Sequence, residues 1–148
     1  MPVRITPEQY RALAALRYRI RLFLREGDAA ARRAGVEPQQ YLLMLAVQGL
    51  PEGTEPTIQV LAEQLTLKHN STVELIDRLE RRGYVRRSHS RKDRRRVLVS
   101  LLPPGERLVA KVAEQRITEL RAEGAALANA IDGLLGRKRK IRRRNRAA

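Results

Sequence analysis

The chain has 148 residues, no cysteine, and 31 Lys and Arg against 16 Asp and Glu, for a formal net charge of +15. That length suits one domain with a buried core, and the lack of cysteine excludes disulfides, thiolate metal ligands, cysteine nucleophiles and thiol redox sensing together. With no apolar run of about 18 residues and no charged-then-apolar leader, the chain is expected to be neither membrane-spanning nor secreted, and a cytoplasmic location follows.

Thr6-Pro7-Glu8-Gln9 reads as a helix start, with Thr6 as cap, Pro7 in the first turn and Gln9 completing a capping box. Leu13, Leu16, Ile20 and Phe23 follow at steps of three and four, one apolar stripe on a long helix that Gly35 can stop. Pro38 opens a second helix whose run Tyr41 to Val47 is apolar all round, which predicts burial on most sides. Gly49 to Pro56 is a loop by composition. Thr57 then caps a short helix through Leu65. After a break at Thr66-Leu67-Lys68, His69 to Arg82 reads as another, ended by Gly83. Two short helices joined so tightly form a helix-turn-helix, with small Ala62 where they approach.

Tyr84-Val85 and Val97 to Leu101 have strand character, and between them lies a basic stretch, so a β-hairpin with its tip at Arg91 to Arg95 is expected. From Pro103 onward the pattern is helical again. Leu108, Val112, Ile117 and Leu120 mark one face, and Leu127, Ile131, Leu134 and Leu135 mark a second beyond Gly124. The outer helices carry apolar stripes that the central module does not need, and a twofold dimer would cover them.

The charge is concentrated. Seven Lys and Arg stand against one acid, Asp93, between Arg86 and Arg96, eight stand against none between Arg137 and Arg146, and the remainder is nearly neutral. Basic clusters on a neutral domain point to a polyanion, most often nucleic acid. A hairpin tip beside a helix-turn-helix is a wing, whose arginines meet phosphates or enter the minor groove.

At this point the residues resemble a family. The run "LAEQLTLKHNSTVELIDRLERRGYVRR" followed by "DRRRVLVSLLPPGERL" is similar to the MarR family of bacterial winged helix-turn-helix transcription regulators, over about Val60 to Leu108. "LAEQL" matches the first helix of the reading motif, "STV" the early recognition helix, "DRLERRGYV" the approach to the wing, and Asp93-Arg94-Arg95 the family's D-x-R. The resemblance implies an Asp93–Arg95 pair that orients the wing, which is physically sound because one carboxylate can hold one guanidinium in a bidentate fork. The sequence departs from the family at Leu102, where a threonine commonly stands before the next helix. Leucine cannot cap, so this start must rest on Pro103 and Pro104.

The expected fold is therefore mainly α with a small β-hairpin (α+β), a winged helix-turn-helix flanked by N- and C-terminal dimerisation helices. Residues 1–148 read as one MarR-like domain: a DNA-binding lobe at 38–102, dimerisation helices at 7–34 and 104–136, and a basic tail at 137–148. The tail either extends the last helix or forms a mobile arm. In the recognition helix Lys68, His69, Asn70, Ser71 and Thr72, with Arg78 further along, are the candidates for base contact. Ser71 and Thr72 can equally cap the helix. Arg86, Arg87, Arg91, Arg94, Arg95 and Arg96 are the wing candidates. Glu74, Asp77 and Glu80 should point away from phosphate or pair with Arg78 and Arg81.

Double-stranded DNA and a second copy of the chain are the expected partners. The resemblance implies an aromatic or phenolic effector, with Tyr10, Tyr18 and Tyr41 in segments that could line its cavity, although core or surface placement suits each as well. No catalytic residue, cofactor or metal site is expected: His69 and His89 are the only histidines, and no phosphate-cradling glycine loop or nucleophile–base set is visible. The expected function is a ligand-responsive repressor acting as a homodimer on a pseudo-palindromic operator. The competing reading is a sequence-tolerant DNA-compacting or RNA-binding basic protein.

Overall fold

The structure is a computed structural model that describes residues 1–137; the basic tail lies outside them apart from Arg137. Five helices and one hairpin follow in the order α1 (Pro7–Arg33), α2 (Pro38–Gln48), α3 (Ile58–Leu65), α4 (His69–Arg81), β1 (Val85–His89), β2 (Val97–Leu101) and α5 (Pro103–Leu134). The mainly helical α+β class expected from the sequence is what is observed.

Local chemistry sets most boundaries. At the start of α1 the Gln9 amide donates to Thr6 Oγ1 at 3.2 Å and Gln9 Oε1 accepts from the Thr6 amide at 2.9 Å, a reciprocal capping box. Gly35, at φ +89°, turns the chain out of α1. A second box stands at α2, where Gln40 Oε1 accepts the Glu37 amide at 3.0 Å, just ahead of Pro38. Thr57 caps α3 by accepting from the Val60 amide at 3.2 Å. The α3–α4 turn places Thr66 in the left-handed region at φ 52°, a position where glycine would be expected.

The described chain divides into two compact units, Gly27–Arg116 and a second made of Met1–Glu26 with the described residues from Ile117 to Arg137. The core of the first is built from Val36, Tyr41, Leu43 and Met44 before the turn, Leu61, Leu75, Ile76 and Leu79 in the helix pair, Val85 and Val99 from the hairpin, and Val109 and Val112 from α5. The helix-turn-helix and the wing therefore share one core. The second unit leaves many apolar side chains in the open: Tyr10, Leu13, Tyr18, Ile20 and Leu24 on α1, and Ile117, Leu120, Ile131 and Leu135 toward the C-terminus.

Three expectations are corrected here. α2 is not buried all round, since Leu42 and Leu45 are exposed while Gln40, Tyr41, Leu43 and Met44 are buried. Its apolar run is continuous, but the core takes only one side of it. Gly124 does not divide the C-terminal segment, and α5 runs unbroken for 32 residues. One interior glycine costs about 1 kcal/mol relative to alanine, too little to end a helix of that length. Leu102 supplies no side-chain cap, yet its carbonyl accepts from the Glu106 amide at 3.0 Å and its amide donates to Tyr84 O at 2.9 Å, so α5 is pinned at its start through backbone.

That pinning requires Gly105. A Cβ built there would lie 2.3 Å from the Tyr84 carbonyl oxygen, a contact only backbone displacement could relieve. Gly→Ala within a helix ordinarily stabilises by about 1 kcal/mol, whereas overpacking costs about 1–3 kcal/mol, so the sign is diagnostic. Gly105→Ala is expected to lower the thermal melting temperature by several degrees. An unchanged or raised melting temperature would show that α5 does not approach Tyr84 so closely.

Candidate nucleic-acid interface

The N-terminal turn of α4 presents Lys68, His69, Asn70 and Ser71, all exposed. Lys68 is the cap residue, and its side chain makes no capping hydrogen bond. Thr72 belongs elsewhere. It is fully buried, and its hydroxyl donates to the Lys68 carbonyl at 3.0 Å, so this residue packs the helix against the core and has no surface to offer a base. Arg78 is also apart from the first-turn group. It lines a cleft of about 380 Å³ together with Asp28, Arg32, Glu37 and Gln39. At 100° per residue, the outward face of α4 is shared by Asn70, Glu74, Asp77 and Arg81, so acids follow directly behind the polar tip.

The hairpin pairs Val85 with Leu101, Arg87 with Val99 and His89 with Val97 in antiparallel register. Val85 is fully buried, and with a period of two its neighbour on the inner face is Arg87. Arg87 was expected to face DNA. Instead its guanidinium forms ion pairs with Asp77 and, at 3.1 Å, with Glu80, while its amide donates to Glu80 Oε2 at 3.0 Å. Asp77 and Glu80 thus pair with the wing strand rather than with Arg78 and Arg81. Arg87 is a brace between recognition helix and wing, and the sequence signal that could have revealed it is the apolar residue two positions earlier.

Beyond β1 the tip is tightly tied. The Ser90 amide donates to Arg96 O and the Arg96 amide to Asp93 O, both at 3.0 Å. Ser90 is buried; its hydroxyl accepts from the Lys92 amide at 3.2 Å and donates to Glu55 Oε1 at 3.4 Å. His89 Nδ1–H donates to the Arg94 carbonyl at 2.9 Å. The loop before α3 seats β2, with the Val99 amide donating to Pro56 O at 2.9 Å.

The Asp93–Arg95 pair is present as a fork, Nε to Oδ1 at 3.1 Å and Nη2 to Oδ2 at 3.2 Å, and Asp93 Oδ1 also accepts the Arg95 amide at 3.0 Å. The Arg95 side-chain and backbone donors hold the Asp93 carboxyl below its ordinary pKa, with a smaller contribution from the charge on Arg96. Arg86, Arg91 and Arg94 are exposed and form no ion pair among the described residues; Arg96 is exposed beside them.

Of the three tyrosines considered for a ligand cavity, Tyr10 and Tyr18 are exposed and Tyr41 is buried. Burial pushes the Tyr41 hydroxyl pKa up, against the partial opposition of the Arg116 charge. Among the described residues there is no cluster of three or more potential metal ligands, and no helix long and apolar enough to cross a membrane.

A profile of the MarR family matches residues 34–96. A curated Bacillus subtilis protein, the HTH-type transcriptional regulator YsmB, is 31% identical over 107 residues, which cover 72% of this chain and 71% of that protein. The chain belongs to the MarR family. Solved MarR-family structures carry the same fold: AbsC of Streptomyces coelicolor superposes with a TM-score of 0.70 at 20% identity over 90% of this chain and 93% of its own. CouR of Rhodococcus jostii RHA1, solved bound to p-coumaroyl-CoA, gives 0.65 at 21% identity over 82% and 83%. This MarR-family chain is accordingly a DNA-binding transcriptional regulator, and its relatives are regulators, not enzymes.

Two outcomes separate brace from surface. Arg87→Gln, which removes the cation shared by two partly exposed carboxylates, is expected to destabilise the fold by about 1 kcal/mol in urea unfolding, whereas Arg94→Ala should stay within about 0.5 kcal/mol of wild type. Equal effects would refute the distinction. For Asp93, the folded-state pKa is depressed, so its pair is intact above the unfolded aspartate value and is lost as pH falls through the lower folded one. The Arg95 amide resonance should hold steady from neutrality to about pH 4 and move only below it. A transition centred higher would contradict the pair.

Proposed function

We propose that this MarR-family regulator is a homodimeric repressor that reads a pseudo-palindromic operator, inserting Lys68, His69, Asn70 and Ser71 into the major groove and setting Arg86, Arg91, Arg94, Arg95 and Arg96 on the flanking backbone and minor groove. The observation that carries this reading is the wing itself: exposed guanidinium groups on a hairpin braced by Arg87 to the helix whose tip is polar. Asp93 orients that wing. Arg87, Thr72 and Arg78 are assigned no base contact. The exposed apolar residues of α1 and α5 support dimerisation, because contiguous exposed apolar surface marks an interface. Residues 38–102 form the reading lobe, 7–34 and 104–136 the dimer helices, and 137–148 a basic tail that adds sequence-independent affinity. The site of action is the cytoplasm. Response to a small acyl or aromatic effector is proposed by analogy with the p-coumaroyl-CoA bound to CouR.

Selection from a randomised duplex pool tests the whole reading. The enriched sites should contain two inverted half-sites about 10 base pairs apart, bound by a species that sediments as a dimer. Arg94→Ala should weaken binding to every duplex and flatten the log K against log salt slope by about one unit, while Asn70→Ala should change the enriched sequence. No enrichment, with equal affinity for all duplexes, would instead support the sequence-tolerant binder.

A further inference from the structure

The residue that follows α4 is Arg82, and its side chain reaches back across the lobe. Its Nη1 donates to Gln40 Oε1 at 3.0 Å and its Nη2 to the Gly35 carbonyl at 2.8 Å. The same guanidinium lies over the Tyr84 ring, 5.0 Å from the centroid. The acceptors are themselves fixed. Gln40 is buried, and its Oε1 also takes the Glu37 amide that closes the α2 capping box. Gly35 sits at the positive-φ turn out of α1. One planar group therefore clasps the C-terminal end of the recognition helix to the α1–α2 corner, using two divergent donors and one aromatic face. Lysine, a single point donor on a flexible stem, cannot reproduce that set.

The distance from this clasp to the base-reading turn turns a small tilt into a large displacement. From Arg82 to His69 is about 20 Å along the axis, so a tilt of about 5° at the clasp shifts the first turn by nearly 2 Å. Base-edge contacts need positions held within about 0.5 Å. Exposed, flexible arginines following a phosphate have no such requirement. We propose that Arg82 is a positioning residue for sequence discrimination: through Gln40 and Gly35 it fixes the angle at which Asn70 and its neighbours meet the bases, without touching DNA itself. The proposal rests on the DNA-reading function given above.

The test uses the duplex that full-length wild-type protein enriches from a randomised pool, and a scrambled duplex of equal length and composition. Affinity and salt slope on both are measured for wild type, Arg82→Lys, Arg82→Gln and Gln40→Ala, with folding checked by circular dichroism and binding read well below each melting temperature. Expected is a loss of tenfold or more on the enriched duplex with less than a twofold change on the scrambled one, and an unchanged salt slope. Arg82→Lys, which keeps the charge, and Gln40→Ala, which never carried one, should show the same pattern as Arg82→Gln. Should an arginine variant not fold, the Gln40 variant decides alone. Equal losses on both duplexes with a flatter slope would make Arg82 a phosphate contact and overturn the proposal. So would unchanged discrimination in the folded variants, which would leave the clasp a stabilising contact only and the regulator reading intact. A wild type that does not discriminate would remove the DNA-reading premise and the clasp proposal with it.

Discussion

Asp77 and Glu80 share one guanidinium, that of Arg87, and the join between α4 and the hairpin depends on that arrangement. A helix that approaches a polyanion with Glu74, Asp77 and Glu80 along its length faces Coulomb repulsion, and the effective dielectric near a protein surface does not screen it away. Arg87 relieves the conflict from within the protein. Being on the inner face of β1, it draws two carboxylates toward the hairpin and neutralises part of their charge at the same point. The cost of seven cations packed into eleven residues is met in a similar way. Asp93 holds Arg95, His89 holds the tip carbonyl of Arg94, and Ser90 is buried beneath the turn. The wing keeps its shape through its own polar groups, so its outward arginines need no partner within the protein.

Features set by neighbours close in sequence were legible. The Thr6–Gln9 box, the Thr57 cap and the glycine stops at 35 and 83 each depend on residues within a few positions, where spacing fixes geometry, and the Asp93–Arg95 fork was legible through the family resemblance. The two halves of the helix-turn-helix and the strand character of Val97 to Leu101 were legible for the same reason, since periodicity is local.

What was not legible depends on phase and register. Arg86, Arg87 and Arg94 are the same residue type in one basic stretch, and only the burial of Val85 and the pairing of Arg87 with Val99 separate a brace from surface cations. Thr72 and Ser71 are adjacent hydroxyl residues, yet a 100° step along α4 buries one and exposes the other. Arg82 reaches acceptors more than forty positions away, which no local pattern encodes. The run in α2 shows the converse limit: uniform apolar character cannot say which side the core takes, and Leu42 and Leu45 were left outside.

The contact between Gly105 and Tyr84 bears on how this lobe can be altered. The atom occupying the space of the missing methyl group is a main-chain oxygen, so trimming the side chain at position 84 would make no room for it. Suppressors of a Gly105 substitution must therefore arise at a distance, in residues that let α5 slide or the strand ends part. A library confined to that contact should contain none. For anyone redesigning the lobe, position 105 is a fixed point around which the rest must be repacked.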